Sequence, residues 1–122
     1  MSAAPTTQQP ASLIASDRVE GTPVYRPDGK HIGTIKRLMI DKIRGHVAYA
    51  VMGFGGFLGF GDDYYPLPWA KLTYDEELGG YKVDVTDEQL KGAPKFDRDS
   101  WDFGDRTQEA ALFDYYNTPP YW

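Results

Sequence analysis

The chain has 122 residues, 41% of them apolar and 15% aromatic, enough for one domain with a core that needs no covalent staples. It contains no cysteine, which excludes disulfides and thiolate metal centres and makes a reducing cytoplasm the expected compartment. The net charge of −5 is uneven: nine basic residues accompany ten acidic ones over 13–86, and four accompany eight over 87–122.

A nucleic-acid partner calls for a basic stripe, and Lys36, Arg37, Lys42 and Arg44 are the nearest approach to one. A solvated hairpin explains them as well, so no DNA partner is expected and RNA is disfavoured by charge. Residues 1–12 are rich in Ala, Pro, Thr and Gln and have nothing to bury, which predicts a disordered arm. They lack both the basic and the apolar stretch of a signal peptide. No apolar run approaches the roughly 20 residues that cross a bilayer, so the expectation is a soluble chain without a transmembrane segment.

From Leu13 the pattern is one of short β segments. Leu13–Val19 and Thr22–Tyr25 are candidate strands, followed by the turn Arg26-Pro27-Asp28-Gly29-Lys30. Ile32–Asp41 is the next strand, and the out-of-phase Ile35 predicts a β-bulge around Lys36–Arg37. Asp41–Gly45 reads as a hairpin connection with Gly45 where a positive φ is needed. Val47–Met52 is apolar on both faces, as a covered central strand must be. Tyr64–Trp69 follows the glycine-rich stretch Gly53–Gly61. Its Pro66 and Pro68 lack N–H groups along one lateral edge, so this strand pairs fully on one side only.

Leu72–Tyr74 and Tyr81–Val85 read as a last hairpin, and Thr86 or Asp87 as the cap of a short helix, Glu88–Lys91. Residues 97–122 form an acidic, aromatic extension with a helix over about 107–116, its sticky side Ala110, Ala111, Phe113 and Tyr116. The domain proper is thus placed at 13–96.

The search for chemistry is negative. His31 and His46 each lie next to a turn, with no metal-ligand spacing and no partner acid in sequence. Ser2, Ser12, Ser16 and Ser100 have no nucleophile-elbow context. The glycine run has neither G-x-G-x-x-G nor a G-K-S/T ending, and it precedes a strand rather than a helix, so a phosphate loop is rejected. Asp97, Asp99, Asp102 and Asp105 suggest a weak cation site, but Trp101 and the missing terminal Glu break the calcium-loop pattern. Asp62-Asp63 and Asp75-Glu76-Glu77 are explained by turn chemistry. No catalytic residue, metal ligand or cofactor is expected.

Aromatic surplus remains. Phe54, Phe57, Leu58 and Phe60 sit among glycines, either plugging the end of the domain or forming a patch for a partner. Tyr115, Tyr116, Tyr121 and Trp122 are too many for a solvated tail and are of the types that dominate interface hot spots. Pro119-Pro120 preorganises an extended segment that loses little entropy on docking. It can dock on its own domain or on a neighbouring subunit, and the small surface of the domain favours the second.

The ordered series Asp28-Gly29-x-x-Ile32-Gly33, Ile40-Asp41, Gly45-x-Val47-Ala48-Tyr49-Ala50-Val51, Gly55-Gly56-Phe57-Leu58-Gly59-x-Gly61-Asp62, Pro66-Leu67-Pro68-Trp69 and Thr86-x-Glu88-Gln89-Leu90-x-Gly92-Ala93-Pro94 resembles the PRC-barrel family. That family takes in the cytoplasmic domain of photosynthetic reaction-centre H subunits and a domain of a ribosome maturation factor. The likeness runs from about Leu13 to Phe96 and is nearest to stand-alone bacterial members. It implies a mainly β fold, a small six-stranded, mostly antiparallel barrel, and an adaptor role with no catalytic residues.

Composition and resemblance together lead to an expected protein-binding or assembly module that is not an enzyme. It is expected to self-associate as a homo-oligomer through Phe54, Phe57, Leu58, Phe60, Tyr115, Tyr116, Tyr121 and Trp122. Two alternatives stay open. One is an enzyme or small-ligand carrier with Asp62, Asp63, Tyr64 and His46 around a barrel-mouth pocket. The other is a reaction-centre or ribosome-associated adaptor.

Overall fold

A computed structural model of the chain describes residues 13–54, 63–95 and 106–122. Helix α1 (Ser16–Val19) leads into strand β1 (Pro23–Tyr25), then β2 (His31–Asp41), β3 (His46–Phe54) and β4 (Asp63–Pro68). A 3-10 turn over Trp69–Lys71 connects to the hairpin β5 (Thr73–Asp75) and β6 (Gly80–Lys82). Two helices complete the described chain, α2 (Asp87–Gly92) and α3 (Arg106–Tyr115).

The strands form one six-stranded sheet in the order β4-β3-β2-β1-β6-β5. Neighbours run antiparallel except β1 and β6, which are parallel with Val24 opposite Tyr81. The ladder ends at β4 and β5, and side chains draw those ends together: Trp69, just after β4, packs its ring 5.4 Å from that of Tyr81 on β6. Tyr74 on β5 meets the same ring at 5.1 Å.

Sequence explains the curl. The β2–β3 register slips between Ile35 and Arg37, leaving Lys36 outside the pairing, and again between Met39 and Ile40. Each slip increases local twist and bends the long strand. Gly45 closes the β2–β3 hairpin with φ 80, a conformation that L side chains rarely adopt. Asp41 completes that turn by accepting from the backbone N–H groups of Ile43 and Arg44.

On β3 every residue from Ala48 to Met52 is buried, as a strand covered on both faces requires. Helix α3 packs against the neighbouring strand β4. Pro66 and Pro68 lie on the outermost strand and are themselves fully buried. Having no N–H, they leave no orphaned donor at that covered edge.

Two expectations are corrected. Leu13–Val19 is not a strand: Ser16–Val19 forms one helical turn, and only Val19 of it is buried. Leu13 stands 90% exposed, so its apolar character does not report a core position. On α3 the buried residues are Glu109, Leu112 and Phe113, followed by Tyr116 just beyond the helix, whereas Ala110 and Ala111 are exposed. The spacing 109, 112, 113, 116 is one helical face.

Thr86 caps α2 in a reciprocal box: its hydroxyl accepts from Gln89 N–H at 3.1 Å, and the Gln89 side chain accepts from Thr86 N–H at 2.8 Å. Arg26 ties the start of this helix to β1 by donating to the Val85 carbonyl at 3.0 Å and pairing with Asp87. That pair holds the Asp87 carboxyl below its usual range.

Candidate functional site

The C-terminal aromatics are ordered by α3 and the way it ends. Leu112, fully buried, and Phe113, 3% exposed, fix the helix on the core. At its end Asn117 adopts a left-handed conformation with φ 53. Asn117 N–H donates to Asp114 O at 3.0 Å, and Thr118 N–H donates to Phe113 O at 2.9 Å. These paired bonds are a Schellman-type stop, and asparagine is the residue after glycine that best tolerates it.

The reversal lays residues 118–122 back along the helix. Tyr121 donates its hydroxyl to Glu109 Oε1 at 2.7 Å and stacks obliquely on Phe113, ring centres 5.6 Å apart. Trp122 meets Phe113 at 6.1 Å and Tyr121 at 5.0 Å, both edge to face. The Arg106 guanidinium lies 4.3 Å from the Trp122 ring centre, within cation–π range, and its Nε is 3.5 Å from Glu109 Oε1. Glu109, 6% exposed, is therefore a buried carboxylate satisfied by one phenol and one guanidinium. Burial, and then the hydrogen bond to Glu109, push the Tyr121 phenol up to about 12.

The four tail aromatics expected as partner-binding residues thus occupy distinct settings. Tyr116 is 4% exposed, its hydroxyl has no hydrogen-bond partner among the described residues, and burial raises its pKa. Tyr115 is 40% exposed and donates to the Gln89 carbonyl at 2.5 Å, which links α3 to α2. Tyr121 and Trp122 are half-buried, each with an outward face. In the single chain this segment lies on its own helix.

Phe54 ends β3 through its backbone, while its side chain, Phe57, Leu58 and Phe60 fall outside the described residues, as do Asp62 and the Asp97–Asp105 series. Sequence reasoning missed Arg106 and Glu109. Their i, i+3 spacing was the available signal, but the partner that makes Glu109 a core residue lies twelve positions away.

The barrel-mouth alternative is not supported by the geometry. His46 pairs with Asp41 at one end of β3, while Tyr64 and Asp63 pair with Gly53 and Phe54 at the other. Seven strand positions separate them, roughly 23 Å at about 3.3 Å per residue. His31 is exposed and packs edge-on against Tyr25 at 5.6 Å. Asp75 is engaged by Leu78 N–H and Lys82 Nζ, which lower its pKa. A groove lined by Arg26, Asp28, Asp84, Thr86 and Asp87 is spanned by the Arg26–Asp87 pair. Among the described residues no three His, Cys, Asp or Glu side chains converge as metal ligands, and no helix is long and apolar enough to cross a membrane.

A small curled sheet with dispersed polar groups and a docked aromatic segment is the architecture of a binding module. The chain belongs to the PRC-barrel domain family, whose family model matches residues 12–90. No curated protein matches the chain. The PRC barrel is a general protein-interaction and assembly fold, and its family is generally non-enzymatic.

Proposed function

We propose that this chain is a non-enzymatic assembly module that self-associates through aromatic surface. The observation that carries the reading is the Phe113–Tyr121–Trp122 ring cluster under the Arg106 guanidinium, with an outward face on Tyr121 and Trp122. Tyr115 adds a 40% exposed ring nearby, and Tyr116 anchors the segment from below. Aromatic rings beside an arginine are the composition of interface hot spots, where a few such residues carry most of the binding energy.

Phe54, Phe57, Leu58 and Phe60 belong to the same proposal as a second aromatic contribution. The lack of cysteine supports a reducing, cytoplasmic setting. A catalytic or carrier role has no such support, because His46 lies at one end of the β3–β4 pair and Asp63 and Tyr64 at the other.

Sedimentation velocity on the full chain and on a Tyr115→Ser, Trp122→Ser double variant tests the proposal. The full chain is expected to sediment as an oligomer and the variant, still folded by circular dichroism, as a smaller species. Equal sedimentation of the two would remove these rings from the interface.

A further inference from the structure

The segment that carries Tyr121 and Trp122 is joined to α3 by a short, strained connection. Asn117 holds φ 53 without being glycine, and two residues later Pro119 and Pro120 begin a stiff, extended stretch. Short strained hinges of this kind invite exchange of the element beyond them between copies. Opening the hinge relieves the left-handed conformation. The prolines keep the segment stiff and extended in either position.

What the segment leaves behind is specific. Without it, Glu109 keeps, among the described residues, only Arg106, at 3.5 Å, and one face of Phe113 loses its cover. The freed Tyr121 and Trp122 lose their ring partner and the acceptor of the phenol. The two uncovered surfaces match each other. Among the described residues, 119–122 hold to the helix by one side-chain hydrogen bond and ring contacts, so the closed form is at the low end of local stability.

We infer that residues 117–122 are an exchangeable clasp: in the assembled protein the Tyr121–Trp122 pair of each chain seats on the Arg106–Glu109–Phe113 strip of a second copy, with Asn117 as the hinge. This rests on the self-association proposed above and specifies how it is made. Closed and exchanged forms share the ring contacts and the Tyr121–Glu109 bond, whereas opening the hinge gives up the Asn117 and Thr118 N–H bonds at the helix end, so the hinge and the surface buried between the two copies decide the balance. Next to the hinge, Tyr115 is 40% exposed and a groove runs between Ala110, Ala111, Asp114 and Pro120.

The cysteine-free sequence makes the test direct. Ala110→Cys with Pro120→Cys places one thiol on each side of that groove, to be bridged by a short bismaleimide. Exchange predicts covalent dimers on a denaturing gel, increasing with protein concentration. A second variant, Asn117→Gly with two glycines inserted after it, removes the strain that two closed chains would relieve by exchanging. It is expected to weaken dimerisation roughly tenfold or more.

Dimers in solution whose bridges all lie within single chains, or that ignore the hinge variant, would overturn the exchange and leave self-association standing. A chain that is monomeric throughout would remove both.

Discussion

Tyr121→Phe removes one oxygen from the clasp and leaves its ring in place. The lost hydrogen bond is 2.7 Å long and ends on a carboxylate that is 6% exposed, so its acceptor cannot turn to water. Hydrogen bonds to charged groups contribute about 1.5–3 kcal/mol, and leaving a buried acceptor short of a partner adds to the loss. Tyr121 is only half-buried and Arg106 remains at 3.5 Å from Glu109, which together bring the figure to about 1–2 kcal/mol. For a domain of this size that lowers the melting temperature by roughly 4–8 °C. Urea denaturation of Tyr121→Phe, Glu109→Ala and the double variant gives the pairwise term free of other losses. A coupling of about 1 kcal/mol or more is expected. Tyr121→Phe within about 0.3 kcal/mol of the parent, with no coupling to Glu109, would refute the idea that the phenol satisfies a buried charge.

Three further outcomes follow from other parts of the molecule. Tyr116→Phe has the opposite sign: its hydroxyl is buried without a partner among the described residues, so removal is expected to be neutral or stabilising by up to about 1 kcal/mol in the same denaturation assay, and clear destabilisation would contradict this. Gly33→Ala places a methyl group against the Gly53 carbonyl oxygen and 2.8 Å from Met52 Cγ, which is expected to cost about 1–3 kcal/mol by forcing β2 from β3; thermal melting reads it, and an unchanged midpoint would refute it. Because the Tyr121 phenol is pushed up to about 12 when folded and has its ordinary value of 10.0 when unfolded, its contribution is complete below pH 10 and is lost as pH rises toward 12; a melting series over that range should show Tyr121→Phe losing less stability than the parent.

Much of the barrel was legible because local rules and burial agree there. The doubly apolar Val47–Met52, the bulge that removes Lys36 from the ladder, the left-handed Gly45 and a helix cap at Thr86 or Asp87, which is Thr86, each follow from near neighbours. Pro66 and Pro68 announced an outermost strand for the same reason. The parallel β1–β6 pairing was not legible, since it joins residues almost sixty positions apart.

The helix α3 misled for a related reason. Ala110 and Ala111 look apolar but gain little from burial, while Glu109 looks like a solvent-facing charge and is taken inside by Tyr121 and Arg106. The imagined cluster of His46 with Asp63 and Tyr64 failed on topology: each lies next to a turn, but an antiparallel pair puts the starts of its two strands at opposite ends. Of the aromatic site, the residue types were readable from composition. Their arrangement around a buried carboxylate depended on the helix stop at Asn117, a feature of backbone conformation that composition does not carry.

The central claim is self-association, and the mass of the unmodified chain in solution tests it most directly. Light scattering across a dilution series is predicted to give at least twice the 13.7 kDa of one chain at the concentrated end and to fall toward that value on dilution. A constant 13.7 kDa at every concentration would contradict the account.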